Sequence, residues 1–410
     1  MPSAAIPSPW LPVPQALARV LASAPQPLPA ETVPLARAAG RTLAHDLAAT
    51  RTQPPFPASA MDGYAAIAAD IASVPAKLKL IGASAAGHGF AGKIARGETV
   101  RIFTGAPVPQ GADVVAIQED TEVDGDIITV LQSDPAGRNI RKAGLDFATG
   151  EVLLHKGRRL GPCELALAAA MNHGVLDVTR KPRVALLATG DELVQPGQNP
   201  GPDQIVASNT FAVWAYAEAA GAEVIDLGIA ADNFAALEAA INAARDAKAD
   251  VLVTLGGASV GDHDLVQTAL TREGMELGFW KIAMRPGKPL MHGRIGDMRI
   301  LGLPGNPVSA IVCGVLFLVP LIRALSGDPD AGRDRSEAAI LGCDLKANDQ
   351  RQDYLRATLA PGGDGLPVAS PFGRQDSSML RVLAQSECLV IRDAHAGEAK
   401  KGDACRVVRL

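Results

Sequence analysis

The stretch "VALLATG", residues 184–190, decides how the rest of the chain is read. A continuous apolar run ending in Thr-Gly has the look of a strand buried on both faces, and a helical stretch, "SNTFAVWAYAEAAG" (208–221), follows it. The rhythm then repeats: strand "EVIDLGI" (223–229), helix "NFAALEAAINAARDA" (233–247), strand "DVLVTLGG" (250–257) and a helix from about 263. Strand "LGFWKIA" (277–283), a hairpin to "ILGLPG" (300–305) and a helix over 308–325 complete it. Strands alternating with helices of this length predict βαβ units and a doubly wound, mostly parallel α/β sheet.

Outward from this segment the texture changes. Residues 14–49 read as helical, with Leu17, Val20 and Leu21 at helical spacing, and "GPCELALAAAMNHG" (161–174) is helical with a glycine stop. Between them the short runs "AKLKLIGAS" (76–84), "ETVRIFTG" (98–105), "DVVAIQED" (113–120) and "DIITVLQ" (126–132) are separated by Gly, Pro and Asp turns, which suggests a small β domain. The expected fold class is multi-domain α/β plus β. Its parts are a helical domain split over 1–49 and 142–179, an inserted β domain over 50–141 and the α/β domain over 180–328. After the polar linker "SGDPDAGRDR" (326–335), a C-terminal β domain occupies 334–410.

Composition bounds the function. A chain of 410 residues needs more than one core. Its net charge of −5 and lack of basic runs argue against a nucleic-acid or anionic-membrane binder. The longest apolar run, Ala310 to Ile322, is too short to span a bilayer and contains Pro320, so it reads as a buried helix. The Pro-rich "PSPWLPVP" (7–14) does not resemble a secretory signal. Cys163, Cys313, Cys343, Cys388 and Cys405 are scattered and never spaced as CxxC. A cytoplasmic protein without a disulfide framework or zinc site is expected.

The unusual residues of the α/β segment fall where each expected strand ends. "TGDEL" (189–193) follows the first strand, Asp232 the second and "GGASVGDHD" (256–264) the third, while "LPGNPVS" (303–309) precedes the last helix. Open α/β sheets bind ligands at the carboxyl ends of their strands, so one site built from four loops is expected. Gly256, Gly257, Ser259 and Gly261, and the loop of Pro304, Gly305 and Asn306, can expose backbone N–H groups to an anion such as phosphate; read alone, each is equally a tight turn. Lys281, Arg285 and Lys288 in "WKIAMRPGKP" supply counter-charge for a polyphosphate or are solvated edge charges. Asp191, Glu192, Asp232, Asp262 and Asp264 beside a phosphate site call for a neutralising ion, and Mg2+ fits oxygen ligands; Asp191 and Asp262 serve equally as caps. Asp62 in "PASAMDGYA" (57–65), taken bare, reads as a turn residue before Gly63.

Taken together, "PASAMDGYA", "GETVRIFTGAPVPQGADVVAIQED" (97–120), "NIRKAGLD" (139–146), "LLATGDEL" (186–193), "TLGGASVGDHD" (254–264), "MRPGKP" (284–289), "GLPGNPVSA" (302–310) and "QDSSMLRVLAQSECLVI" (375–391) resemble the molybdopterin molybdenumtransferase family. The resemblance implies a four-domain, elongated homodimer with a C-terminal β-barrel-like domain. It implies an active site between the α/β domain of one subunit and the first two domains of the other. It also implies a Mg2+-dependent transferase that takes adenylylated molybdopterin and molybdate and yields molybdenum cofactor and AMP. Carried over by motif, the catalytic set is Asp62, Thr104, Asp146, Glu192, Asp232 and Asp264, of which Asp62, Glu192 and Asp264 hold the metal. Lys281, Arg285, Lys288, the glycine loop, Pro304, Gly305, Asn306, Ser377 and Ser378 would contact substrate.

Two positions depart from the family pattern. Arg285 stands where many relatives have lysine, and Ala207 where an acid often precedes Ser-Asn. The rival readings are a molybdopterin adenylyltransferase, which the α/β segment alone resembles, and a non-catalytic pterin-binding scaffold. Expected partners are a second copy of the chain, the molybdopterin adenylyltransferase upstream and recipient molybdoenzymes downstream, with neither nucleic acid nor membrane.

Overall fold

The computed structural model describes residues 10–257, 265–363 and 365–410. The chain divides into two compact units. One takes the chain up to Glu31, Gly40–Ala44 and Asp177–Leu410; the other takes Thr32–Ala39 and His45–Leu176.

The first unit is built on a six-stranded sheet. Its strands are β1 (Arg183–Thr189), β2 (Glu223–Ala230), β3 (Val251–Leu255), β4 (Glu276–Trp280), β5 (Met291–Ile295) and β6 (Met298–Leu303), in the order β2-β1-β3-β6-β5-β4. The first four in that order run parallel, and β5 and β4 are antiparallel additions at one edge. Helices α1 (Asn209–Ala220), α2 (Phe234–Asp246), α3 (Leu265–Arg272) and α4 (Pro307–Leu325) cover it. Strand alternation sorts the core. Val184, Leu186, Val251, Val253 and Leu255 face the layer with α1 and α4, whereas Ala185, Leu187 and Leu252 face the layer with α2 and α3.

Helix α4 is long and apolar enough to cross a membrane by length alone, yet it is mostly buried in the core. It widens to a π turn over Gly314–Leu318, just before Pro320. Proline has no N–H for the carbonyl four residues back and its ring crowds that carbonyl, which the wider turn relieves. Residues 337–410 form a five-stranded barrel from Glu337–Leu341, Gln352–Ala360, Val368–Pro371, Cys388–Arg392 and Ala404–Arg409, closed by pairing of Gln352–Ala360 with Cys388–Arg392. The barrel-like C-terminal domain expected from the sequence is present.

The second unit holds a sheet ordered Val114–Ile117, Gly63–Ala66, Glu98–Ile102, Ala76–Ser84, Ile127–Val130, Thr121–Asp124. Four of these strands are the β-like runs read in the sequence. Gly63–Ala66 is not: the stretch after Asp62 reads as a turn, but it lies in the middle of the sheet, and the turn glycine is a strand glycine. A Cβ on Gly63 would sit 1.9 Å from the carbonyl oxygen of Ala116 on the paired strand.

The helical reading of residues 14–49 holds only for Val13–Ala22. Pro25, Pro27, Pro29 and Pro34 forbid its continuation, and Ala30–Pro34 is extended. Helix Val13–Ala22 buries Val13, Ala16 and Val20 in the α/β core and falls in the same compact unit, whereas helix Pro162–Ala170 falls in the other.

Replacing Gly63 by alanine forces a backbone overlap in the middle of the sheet. The substitution lowers the stability of this unit by roughly 1–3 kcal/mol, read as a shift in its urea midpoint; an unshifted midpoint would show that the strands move apart without cost.

Candidate active site

From β1 the chain passes through α1 to β2 on one side, then through α2 back to β3 on the other. The carboxyl ends of β1 and β3 therefore part into a crevice, the place where an open α/β sheet takes its ligand. A cleft of ≈ 780 Å³ opens there, lined by the ends of β1 and β3, residues 205–210, Asp232, the 304–307 loop and Ser378. The glycines are steric necessities. At Gly256 (φ +101) a Cβ would lie 2.8 Å from the Thr189 carbonyl oxygen, and at Gly257 (φ +63) it would lie 2.1 Å from the Val266 side chain. Only bare backbone lets this turn close against β1 and α3.

Two helices point their N-termini at the cleft. Helix α1 starts at Ser208-Asn209 and α4 at Asn306-Pro307; neither carries a side-chain cap bond or an acid in its first turn. The first N–H groups of α1 and the positive dipole ends of both helices are thus available to an anion, whereas α4 opens with Pro307, which has no N–H, and its Val308 N–H is engaged by the Ser377 carbonyl. The Asn209 amide Nδ2 donates to the Gly305 carbonyl at 2.7 Å and ties the two ends together.

The opposite wall is acidic. Glu192 folds back over Gly190, where any Cβ would meet its carboxylate at 2.2 Å. The backbone N–H of Asp232 donates to Asp191 Oδ1 at 3.0 Å, which gathers three carboxyl groups at the ends of β1 and β2. Partial burial, and then the charges of Asp191 and Glu192, push the Asp232 carboxyl above the ordinary aspartate range. Glu192 and Asp232 line the cleft.

Of the sequence-predicted residues, Glu192, Asp232, Gly256, Gly257, Pro304, Gly305, Asn306 and Ser378 come together here. Ser377 adjoins the cleft, its carbonyl accepting from Val308 N–H at 3.0 Å, so the barrel loop abuts the start of α4. Lys281, Arg285 and Lys288 lie outside the lining. Arg285 pairs with Asp353, with Asp349 at 3.3 Å and with Asn348 at 3.1 Å, all on the barrel side. Lys281 and Lys288 rest instead on the rings of Trp280 and Trp10. Ser259, Gly261, Asp262 and Asp264 lie outside the described residues.

Asp62, Thr104 and Asp146 belong to the other unit. Asp62 Oδ1 accepts from both the backbone N–H (2.7 Å) and the hydroxyl (2.8 Å) of Thr104. These bonds, with a smaller contribution from Arg101, hold its carboxyl below the ordinary range, so it is a carboxylate at any physiological pH. Asp146 is exposed, its N–H bound to the Gln53 carbonyl at 3.0 Å. Among the described residues, no cluster of three or more His, Cys, Asp or Glu side chains is arranged to hold a metal.

Sequence reasoning missed Thr189, Asn209 and Arg356. Asn209 was visible as the polar start of a helix. Arg356, 1% exposed, holds the serine loop through Gln375 (2.9 and 3.1 Å) and the Asp376 carbonyl (2.7 Å), contacts that no local pattern reveals.

Three family profiles match the chain: MoeA N-terminal region (domain I and II) over residues 11–172, probable molybdopterin binding domain over 185–324, and MoeA C-terminal region (domain IV) over 338–410. The molybdopterin molybdenumtransferase of Haemophilus influenzae is 35% identical over 390 residues, covering 95% of this chain and 96% of its own. That of Bacillus subtilis is 34% identical over 371 residues, 88% of this chain and 85% of its own. A solved structure of the molybdopterin biosynthesis MoeA protein from Pyrococcus horikoshii OT3 superposes with a TM-score of 0.82 at 25% identity, covering 98% of this chain and 100% of that one.

The crowding of Asp232 has a measurable consequence. A carboxyl raised in the folded state opposes folding above the ordinary aspartate range and is neutral below it. Asp232→Asn is therefore more stable than the wild type at pH 7, by under about 1 kcal/mol given the exposure of the residue, and the difference disappears as the pH falls through about 4. Thermal melts at the two pH values check this; a variant less stable at pH 7 would mean that Asp232 is favourably paired.

Proposed function

The chain belongs to the molybdopterin molybdenumtransferase family, and from that premise we propose that its cleft converts adenylylated molybdopterin and molybdate to molybdenum cofactor and AMP. The observation that carries this reading is the union, at one switch point, of two uncapped helix N-termini with a wall of crowded carboxyl groups. The first N–H groups of α1 and the dipole ends of α1 and α4 suit a phosphate, and the carboxylates suit the cation that travels with it.

Mg2+ takes one or two carboxylates and completes its octahedron with water and phosphate oxygens, so Glu192 and Asp232 fit it, with Asp264 and Asp62 as further candidates. When bound, it would draw electron density from the pyrophosphate and neutralise charge on the departing AMP. The protein's own part is positional. Glu192, braced over Gly190, and Asp232 orient the cation; Asn209 and the 304–306 loop fix the phosphate end; Ser378, with Ser377 beside it, reaches in from the barrel for an oxyanion such as molybdate. None of these carboxylates needs to act as a nucleophile. Asp62, kept ionised by Thr104, supplies a fixed negative charge.

The likeness of the whole chain to the family supports the finer points of this reading. The enzyme works in the cytoplasm as a homodimer, each site combining the cleft of one subunit with Asp62, Thr104 and Asp146 of the other. It receives its substrate from the adenylyltransferase and delivers product to molybdoenzymes.

Molybdate-dependent AMP release checks the roles. Glu192→Ala and Asp62→Ala each lower it by about 100-fold or more, and full activity in either would remove that residue from the site. Mixing the two inactive variants as dimers restores about a quarter of the wild-type rate, because half the dimers are mixed and each of those has one intact site. No recovery, with subunit exchange shown by sedimentation of tagged chains, would place the whole site within one subunit.

A further inference from the structure

Residues 281–290 form a loop closed on itself: Lys281 N–H donates to the Leu290 carbonyl at 3.2 Å and Ile282 N–H to the Lys288 carbonyl at 3.0 Å. The backbone at Lys281 is left-handed (φ 86), which residues with a Cβ avoid, so the surroundings must hold it there. One support is the start of the described chain. Leu11 N–H donates to the Lys281 carbonyl at 3.4 Å and its carbonyl accepts from Ala283 N–H at 2.8 Å, while helix Val13–Ala22 directly behind it is anchored in the core. The other support is the barrel, which engages Arg285.

The three cations of this loop are held in two different ways. Arg285 is compensated by the carboxylates of Asp349 and Asp353. Lys288 Nζ lies 4.3 Å from the ring centroid of Trp10, and Lys281 Nζ lies 5.1 Å from that of Trp280. Both distances are within cation–π range. The difference matters because a carboxylate fixes a cation by cancelling its charge, whereas an indole face fixes it and leaves the unit charge intact. Lysine otherwise loses much rotamer freedom on binding an anion, and a pre-set ammonium has lost it in advance. Lys288 is followed by Pro289, which lines the cleft.

We infer that Trp10 is a positioning residue: it holds the Lys288 ammonium on a neutral aromatic face at the edge of the cleft, where no carboxylate among the described residues pairs with it, to meet an anionic phosphate group of the substrate. This rests on the reading of the cleft as a phosphate-ester site. Its distinctive content is that the chain segment before the first helix, far in sequence from every motif loop, tunes anion affinity.

The test is a double-mutant cycle on the full chain, with inorganic pyrophosphate as the probe and calorimetry as the readout. Lys288→Met weakens binding by about tenfold and Trp10→Leu by about fivefold, while Trp10→Phe, which keeps an aromatic face, stays within about twofold of wild type. In the Lys288→Met background Trp10→Leu adds no further loss, because its effect runs through that ammonium. Equal losses from Trp10→Leu in both backgrounds, or no loss in either, would overturn the assignment. Should Trp10→Leu fail to fold, the Phe variant and a Trp10→His variant carry the same comparison. Absence of pyrophosphate binding by the wild type, or unchanged binding by Lys288→Met, would instead remove the phosphate reading of the cleft itself.

Discussion

The splitting of the chain to either side of β1 is the constraint on which the site depends. Because β2 and β3 flank the same strand, the helix after β1 and the helix before β3 must lie on opposite faces of the sheet, and the two apolar layers are sorted accordingly. The gap between the carboxyl ends of β1 and β3 is the cleft lined by residues 205–210, Asp232, the 304–307 loop and Ser378. Into that gap the chain delivers what helices and strand ends supply at no extra cost: free N–H groups, a positive dipole and tight glycine turns. Gly256 and Gly257 are the clearest case, since any side chain there would push the turn away from Thr189 and Val266 and close the crevice.

Charge is arranged in the chain by three different devices, the first and third in the unit that holds this gap and the second in the other. Like charges are brought together on one wall, where partial burial, and then Asp191 and Glu192, make Asp232 harder to ionise. Asp62 is held ionised by two bonds from a single threonine, so its charge needs no counter-ion. The basic loop is held by aromatic faces and by the barrel. The polyphosphate and cation proposed for the cleft would meet the first and third devices together.

The barrel also acts on the cleft from a distance. Arg356, buried and bonded to Gln375 and the Asp376 carbonyl, sets the serine loop, and the Ser377 carbonyl meets the first turn of α4. A helix whose interior widens into a π turn before Pro320 is still able to present a fixed N-terminus, because that end is gripped by Asn209 through Gly305 and by the barrel through Val308.

The periodicity of residues 184–325 by itself determined the doubly wound sheet, its strand ends and the loops that carry Glu192, Asp232, Gly256 and Asn306, because buried parallel strands and amphipathic helices write their burial into local sequence. Motif order along the chain determined the family. Local pattern misjudged Gly63–Ala66, where closeness to Ala116 rather than a turn demands glycine, and it overextended the first helix through prolines that end it. It had no means of showing that Arg285 is neutralised by the barrel, or that Trp10 lies on Lys288. Those outcomes depend on contacts between residues tens to hundreds of positions apart, and a side chain's charge is usable or spent according to its neighbours in space, which only the tertiary structure decided.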